Sequence, residues 1–169
     1  MSRLVNYKIT FLGEAAVGKT SIVMRYSNNV FRENYLPTLG VDFVTKRFEL
    51  PNRELVQFFI WDLAGQYEYK MFSPSYLKGS HYSIIVMDAS DEHSWNCSER
   101  LQEHELYAEI PKNYILVVNK IDLLNKEQLE SVKQRIESQY PNMKIFYTSA
   151  KENENISDVF DYITKELMN

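Results

Sequence analysis

The sequence predicts a doubly wound α/β fold, in which helices cover both faces of a mostly parallel β-sheet. Strand-like and helix-like segments alternate along the 169 residues, as they do where helices join parallel strands. Polar motifs that contain glycine follow several of the strand-like segments, at the sheet edge where this class of fold binds its ligands. We predict about five helices and six strands, one of them an antiparallel edge strand, in a single domain over residues 1–169.

The composition is that of an ordinary globular domain. Hydrophobic residues make up 44% of the chain and charged residues 25%, and the length suits one substantial core. The net charge of −4 gives no indication of nucleic acid as a partner. The single cysteine, Cys97, excludes an internal disulfide and suits a reducing compartment. We therefore expect a cytoplasmic protein, monomeric and without a nucleic-acid partner.

The first half of the chain contains three predicted strands and one helix. Residues 4–12 alternate between apolar and polar side chains, as a strand does, and they run directly into a glycine-containing loop. A helix is expected from Thr20 to about residue 28. Residues 41–50 and 55–61 have the composition of strands, and the tight turn between them makes the two neighbours antiparallel.

The second half contains two buried strands and further helices. Residues 83–87 and 114–118 are continuous apolar runs, as expected for strands covered on both faces. One helix begins near Asn125, with Gln128 completing its cap, and stops before Pro141. Another follows Asn155, and the weakly periodic segment 91–110 is also expected to be helical. The apolar residues at helical spacing in the first two are Leu129, Val132, Ile136 and Tyr140, and then Ile156, Val159, Phe160, Ile163 and Leu167.

The loop after the first strand has the spacing GxxxxGK followed by Ser or Thr. Backbone N–H groups of such a loop bind phosphate oxygens, Lys19 reaches the terminal phosphates, and the Thr20 hydroxyl binds Mg²⁺. Gly13 and Gly18 alone would also suit a simple turn, but a turn does not explain a lysine and a hydroxyl directly after them. The predicted phosphate-binding residues are Gly13, Glu14, Ala15, Ala16, Val17, Gly18, Lys19, Thr20 and Ser21.

Two later motifs indicate which base the bound nucleotide carries. The first consists of Asn119, Lys120, Ile121 and Asp122, and the second of Ser149, Ala150 and Lys151. A carboxylate at Asp122 can accept hydrogen bonds from both the ring N–H and the exocyclic amine of guanine. Adenine has no such pair of donors at that edge, so the sequence predicts a guanine nucleotide.

Asp62, Gly65 and Gln66 follow the third strand. An aspartate at the end of a strand is often a simple cap, and a glutamine is often a solvated surface amide. Beside a phosphate-binding loop we expect other roles: Asp62 holds a water on Mg²⁺, and the Gly65 N–H reaches the γ-phosphate because glycine allows close approach. Gln66 is then placed to orient an attacking water.

Together these segments resemble the Ras superfamily of small GTPases over nearly the whole chain, and within it the Rab branch most closely. Residues 39–43, Leu-Gly-Val-Asp-Phe, are similar to the IGVDF segment of Rabs, and residues 75–80 to their SYYRGA segment. Phe43, Trp61 and Tyr76 fall on the aromatic triad that faces Rab effectors. The alternative is that these aromatics only pack the hairpin, and the two roles are compatible.

The resemblance implies a Mg²⁺-dependent GTP-hydrolysing switch that regulates vesicle traffic. It assigns catalysis to Gln66, Lys19 and Thr38, and Mg²⁺ to Thr20, Thr38 and Asp62. It places Phe31 against the edge of guanine, the stems of Lys120 and Lys151 on the faces of the base, and the Ala150 N–H on its oxygen. Effectors, an exchange factor and a GTPase-activating protein would bind through residues 31–43 and 61–76. Within these ranges, the order of about residues 31–40 and 63–76 would report the bound GTP or GDP.

The chain also departs from the Rab pattern. Leu63 replaces the usual threonine and Tyr67 the usual glutamate. The last residues, 166–169, carry no cysteine for prenylation. We therefore expect attachment to the cytosolic face of organelle membranes only if a lipidated tail follows these residues.

Three other functions compete with this interpretation. A scaffold could bind GTP without hydrolysing it, but Thr38 and Gln66 would then have no purpose. A Ras-superfamily GTPase could signal without any role in traffic. A nucleotide kinase could share the phosphate loop, but residues 119–122 argue against it.

Other polar residues give weaker signals. The residues just before Thr38 include no arginine, and Arg32 lies six positions away, so we expect no internal arginine that accelerates hydrolysis. His93 and Cys97 would share a helix face, which is too few ligands for a metal site. His81 and His104 show no partner in the sequence.

Overall fold

The computed structural model describes residues 4–34, 37–64, 73–108 and 113–169. Over these ranges the chain forms one six-stranded sheet with the strand order β2-β3-β1-β4-β5-β6. The edge strand β2 (Val41–Glu49) pairs antiparallel with β3 (Leu55–Leu63), and the other four strand pairs are parallel. The predicted fold class and the antiparallel edge strand are confirmed.

The elements of the first half match the predicted ranges closely. The central strand β1 spans Leu4–Leu12, and the helix α1 spans Lys19–Asn28. A tight turn joins β2 to β3: the Leu50 N–H donates to the Glu54 carbonyl at 2.9 Å, and Arg53 takes a left-handed φ of 66°. The turn therefore sets the register of the hairpin.

The second half contains the remaining strands and helices. They are α2 (Ser73–Leu77), β4 (Tyr82–Asp88), α3 (Ser98–Tyr107), β5 (Tyr114–Asn119), α4 (Lys126–Gln139), β6 (Ile145–Tyr147) and α5 (Ile156–Met168). The caps predicted for α4 and the apolar stripe predicted for α5 are confirmed. The sequence did not locate strand β6, which has three residues, or helix α2, which has five. Elements this short are below the length at which periodicity can be recognised.

The prediction of one continuous helix over residues 91–110 is wrong, because the segment is divided into two helical pieces. A 3₁₀ turn covers Glu92–Trp95, and α3 begins only at Ser98. Two tertiary contacts hold the break: the Trp95 indole N–H donates to the Asp88 carbonyl at 2.7 Å, and the Cys97 N–H donates to the Tyr140 hydroxyl at 3.1 Å. His93 and Cys97 therefore do not share a helix face. In the described part of the chain, no group of three or more His, Cys, Asp or Glu could hold a metal ion.

Strand β4 shows how the core is divided. All seven of its residues are buried. Ile84 and Val86 belong to the cluster that includes residues of α1 and α5, whereas Ile85 and Met87 belong to the cluster that includes residues of α3 and α4. Alternate residues of a strand point to opposite faces, so the sheet is covered on both sides. Among the described helices, none has the length and apolar composition needed to span a membrane.

The expectation that two histidines have no partner is wrong. His104 is fully buried, with Nδ1 2.7 Å from the Ser83 hydroxyl and its ring against Tyr114. His81 Nδ1 accepts the Lys8 N–H at 3.0 Å. Both partners lie far from the histidines in the sequence, and both histidines connect neighbouring parts of the fold.

The start of α4 gives a stability prediction. The Asn125 side chain accepts the Gln128 N–H at 2.9 Å, and the Gln128 side chain accepts the Asn125 N–H at 2.9 Å. This reciprocal pair satisfies two N–H groups that the helix itself cannot bond. Asn125→Ala should lower the free energy of unfolding by about 1 kcal/mol in urea titrations. Gln134→Ala, on the exposed face of α4, is the control, and equal losses in the two variants would contradict the cap.

Candidate nucleotide-binding site

A cavity of about 320 Å³ lies at the carboxyl ends of the central strands. It collects most of the predicted site residues from four separate parts of the sequence. They are Ala15, Ala16, Gly18, Lys19, Thr20, Ser21, Phe31, Thr38, Asn119, Lys120, Asp122, Ala150 and Lys151. The wall also contains Met24, Arg32, Glu33, Asn34 and Leu123, which the motifs did not indicate. A concave site of this size suits a small-molecule ligand.

The loop after β1 curls around the Lys19 ammonium. Its Nζ donates to the Gly13 carbonyl at 2.9 Å and to the Glu14 carbonyl at 2.7 Å, and only 6% of Lys19 is exposed. Burial lowers the pKa of Lys19 to about 8, although the nearby Asp62 carboxylate favours the charged form. An ammonium held in this way can bind an anion with little rearrangement.

Two glycines allow this loop to pack against the strands. Gly13 has φ 140°, and a Cβ there would lie 2.3 Å from the Val86 carbonyl oxygen. Gly18 has φ 100°, and a Cβ there would lie 2.3 Å from the Asn119 amide nitrogen. Both backbone conformations are costly for residues with side chains. The glycines are therefore required by close approach as well as by the turn.

Three oxygen-bearing side chains meet beside Lys19. The Thr20 hydroxyl donates to Asp62 Oδ2 and lies 2.8 Å from the Thr38 hydroxyl. Asp62 is 1% exposed, and its Oδ1 accepts no hydrogen bond from the described residues. Burial raises the pKa of Asp62 to about 6. Hydroxyl and carboxylate oxygens are ligands that Mg²⁺ prefers, and a bound ion or its water would satisfy Oδ1, so these residues fit a Mg²⁺ site.

The Asn119 side chain joins the parts of the cavity wall. Its Nδ2 donates to the Val17 carbonyl at 3.1 Å, which fastens the phosphate loop. Its Oδ1 accepts the Ala150 N–H at 3.1 Å and the Thr148 hydroxyl at 3.2 Å. The Ala150 N–H, which the resemblance assigns to the guanine oxygen, is thus bonded to Asn119 here.

Asp122 and Lys120 are held by partners outside their own motif. Asp122 Oδ1 accepts the Ser149 hydroxyl at 2.6 Å. Lys120 takes a left-handed φ of 65°, and its Nζ lies 2.6 Å from Asp88 Oδ2. Sequence reasoning missed Asp88, whose only sequence signal is its position at the carboxyl end of β4.

Two arginines near the cavity, Arg100 and Arg32, were not among the site residues that the motifs predict. Arg100 on α3 is 6% exposed, with Nη2 3.8 Å from Glu14 Oε1, and its charge contributes to the lowered pKa of Lys19. Nothing in the sequence around Arg100 connects it to the phosphate loop. Arg32 lines the cavity although it lies six positions before Thr38.

Several predicted residues lie outside the described ranges. Gly65, Gln66 and Tyr67 belong to the segment 65–72, which is outside those ranges. Residues 35 and 36 of the predicted segment 31–43 are outside them as well. Their roles stay predictions.

The three aromatic residues assigned to partner binding form a continuous row. The rings of Phe43 and Trp61, opposite each other in the hairpin, have centroids 5.4 Å apart, and Trp61 and Tyr76 are 6.1 Å apart. Lys8 Nζ lies 4.4 Å above the Trp61 ring, and Phe43 is 47% exposed. The row therefore both packs the hairpin and remains accessible.

Comparison with known proteins decides the family. The sequence pattern of the Ras family matches residues 8–169. The chain belongs to the Ras family. Members of the Ras family are GTPases, and the predicted resemblance is confirmed.

Two similar relatives connect this Ras-family chain to the Rab branch. The GTP-binding protein ypt1 of Schizosaccharomyces pombe is 33% identical over 162 residues, covering 95% of this chain and 79% of that protein. The Ras-related protein RabC of Dictyostelium discoideum is 33% identical over 171 residues, covering 99% of this chain and 86% of that protein. The chain is thus a Ras-family GTPase close to the Rab branch.

The position of Asp122 at the cavity gives a prediction about the base. Asp122→Asn should weaken GTP binding by at least about 1.5–3 kcal/mol, because an amide cannot accept from both guanine donors. The same variant should bind xanthosine triphosphate more tightly. Titration with both nucleotides tests this, with Asp158→Asn on α5 as the control. Unchanged GTP affinity in Asp122→Asn would contradict the assigned guanine contact.

Proposed function

We propose that this chain is a Rab-like, Mg²⁺-dependent switch that binds GTP and GDP, hydrolyses GTP and regulates vesicle traffic. One observation carries the proposal. The oxygen atoms of Thr20, Thr38 and Asp62 meet at the end of the cavity beside Lys19, whereas Asp122 lines the same cavity with a hydroxyl partner that orients it. The cavity thus combines a cation-binding end with an end suited to guanine.

The metal site would be formed by Thr20, Thr38 and Asp62. The buried Asp62 Oδ1, which accepts no hydrogen bond from the described residues, supports this choice. Mg²⁺ held there would supply positive charge to offset that of the nucleotide's phosphates. The ammonium of Lys19, already held by two carbonyls, would bind oxygens of the same phosphates.

The reaction is transfer of the γ-phosphoryl group to water, which yields GDP and phosphate. Little covalent chemistry is required of the protein, so positioning and charge stabilisation supply most of the rate. Lys19 stabilises charge on the transferred group, and the Gly65 N–H binds a γ-phosphate oxygen. Gln66 orients the attacking water.

The hairpin connects the nucleotide to the partner surface. Thr38 lies just before β2, and Asp62 lies near the end of β3. The two ends are joined where the Ala64 N–H donates to the Gly40 carbonyl at 2.9 Å. Thr38 and Gly65, which would contact the γ-phosphate, would therefore order the segments of about residues 31–40 and 63–76 when GTP is bound. Effectors, an exchange factor and a GTPase-activating protein would bind through residues 31–43 and 61–76, with the row of Phe43, Trp61 and Tyr76 as the effector surface.

The proposed location is the cytoplasm, with attachment to the cytosolic face of organelle membranes only if a lipidated tail follows residue 169. Experiments can distinguish two alternative functions from the proposed one. A GTP-loaded scaffold would bind GTP and fail to hydrolyse it in a single turnover. A signalling GTPase without a role in traffic would hydrolyse GTP but would not associate with vesicle membranes in cells.

Thr20 and Thr38 should have different roles in the two nucleotide states. Thr20 should bind Mg²⁺ with GDP and with GTP, whereas Thr38 should bind it only with GTP. Thr20→Asn should therefore disfavour GTP strongly, and Thr38→Ala should leave GDP affinity nearly intact while abolishing effector binding. Calorimetric titration with each nucleotide in Mg²⁺ measures the difference. Equal losses of GDP affinity in the two variants would disprove this division.

Hydrolysis by the isolated protein should be slow. Arg32 is exposed at the cavity wall, where water screens its charge, so it should not substitute for an arginine supplied by a partner. We expect an intrinsic rate on the order of 10⁻⁴ to 10⁻³ s⁻¹, the scale of isolated Ras-type GTPases, with a large increase when a partner supplies arginine.

Gln66→Leu should lower this intrinsic rate because leucine cannot orient the water. Single-turnover release of phosphate measures both proteins. A rate near 1 s⁻¹ for the unmodified protein, or an unchanged rate in Gln66→Leu, would be incompatible with the assigned mechanism.

A further inference from the structure

Arg25 lies at the opposite end of α1 from the phosphate site. Lys19 and Thr20 begin this helix, and Arg25 stands in its last turn. A helix rises about 1.5 Å per residue, so the six positions from Lys19 to Arg25 carry the side chain about 9 Å along the axis. It reaches the loop that contains Ala150 and Lys151.

The Arg25 guanidinium binds two consecutive peptide groups of that loop. Its Nε donates to the Ala150 carbonyl at 2.8 Å, and its Nη2 donates to the Lys151 carbonyl at 2.9 Å. The two nitrogens lie on one edge of a rigid planar group, so both carbonyls are held in a fixed relation. Hydrogen bonds from a charged donor are stronger than neutral ones. The loop is thus fastened to α1 by one side chain.

The remaining nitrogen of the same guanidinium holds the chain that leaves α1. Nη1 donates to the Asn29 carbonyl at 3.2 Å and to its side-chain oxygen at 3.3 Å. Asn29 ends the helix in a left-handed conformation, and the Phe31 ring centroid lies 5.9 Å from the guanidinium carbon. Arg25 therefore connects the segment that carries Phe31 with the loop of Ala150 and Lys151.

We propose that Arg25 is a positioning residue for the guanine base and that it slows nucleotide release by holding these two wall segments together. The inference rests on the proposed function, because it takes Phe31, Ala150 and Lys151 to surround guanine. The described contacts of Arg25 all lie at the base end of α1. Its removal should therefore affect nucleotide release and leave the phosphate chemistry unchanged.

Release of fluorescently labelled GDP tests the proposal. Arg25→Gln should release GDP roughly tenfold faster, because the two charge-assisted hydrogen bonds that hold the loop of Ala150 and Lys151 are lost, together with those to Asn29. Arg25→Lys keeps the charge but not the paired donors, so an intermediate rate is expected. Single-turnover hydrolysis of bound GTP should stay within about twofold of the unmodified protein, since Lys19 and Thr20 are unchanged.

Arg47→Gln is the matched control. The Arg47 guanidinium also donates two hydrogen bonds, both to the Gln57 side-chain oxygen at 3.0 and 2.6 Å. These bonds cross the β2–β3 hairpin and touch no residue of the cavity wall. GDP release from Arg47→Gln should equal that of the unmodified protein.

A double-mutant cycle separates positioning of the base from a general loss of structure. If Arg25 acts through the base, Arg25→Gln should accelerate release less in an Asp122→Asn background, where a base contact is already lost. Chelation of Mg²⁺ perturbs the phosphate end instead, so the full acceleration should persist there.

Either of two results would overturn the proposal: release from Arg25→Gln within twofold of the unmodified protein, or the same acceleration in the Asp122→Asn background. If Arg25→Gln does not fold, a rate for Arg25→Lys equal to that of the unmodified protein also overturns it. Failure of the unmodified protein to prefer labelled GDP over labelled ADP would instead contradict the proposed function.

Discussion

A buried positive charge organises the active end of this molecule. The Lys19 ammonium is held by the carbonyls of Gly13 and Glu14 at the start of α1, with Asp62 close enough to favour its charged form. A charge can be buried only if its surroundings compensate the lost hydration. The loop must therefore turn its carbonyls inward, and Gly13 and Gly18 permit the backbone conformations that this requires. The result is a preorganised ammonium whose charge suits an anion, with the oxygens of Thr20, Thr38 and Asp62 beside it.

The rest of the cavity is arranged around α1. Its first turn carries Lys19 and Thr20, and its last turn carries Arg25, which fastens the loop of Ala150 and Lys151. Asn119 connects the loop after β1 with the same Ala150 loop, because its side chain donates to the Val17 carbonyl and accepts the Ala150 N–H. The distance between the loop that contains Lys19 and the loop of Ala150 and Lys151 is thus set by one helix and two side chains.

The edge hairpin links the cavity to the aromatic row of Phe43, Trp61 and Tyr76. Thr38 lies just before β2 and Asp62 lies near the end of β3, and both contact Thr20 at the cavity. The strands themselves carry Phe43 and Trp61. Backbone pairing of β2 with β3 therefore links the residues beside the cavity to the aromatic row. The hairpin lies at one edge of the sheet, away from the buried strands β4 and β5.

The sequence by itself determined the fold class, the five longer strands and the motif residues, because apolar periodicity and glycine spacing are local properties. It also predicted the caps of α4, which depend on residues three positions apart. Only the tertiary structure decided that the predicted helix over 91–110 is interrupted before Ser98, where the Tyr140 hydroxyl binds the Cys97 N–H. It alone also decided the partners of His104. It also decided that Arg25 bonds the carbonyls of Ala150 and Lys151 and that Asp88 pairs with Lys120, since these partners are brought together only by folding. A contact between distant residues leaves no periodic pattern in the chain, so only the packed sheet and helices could show it.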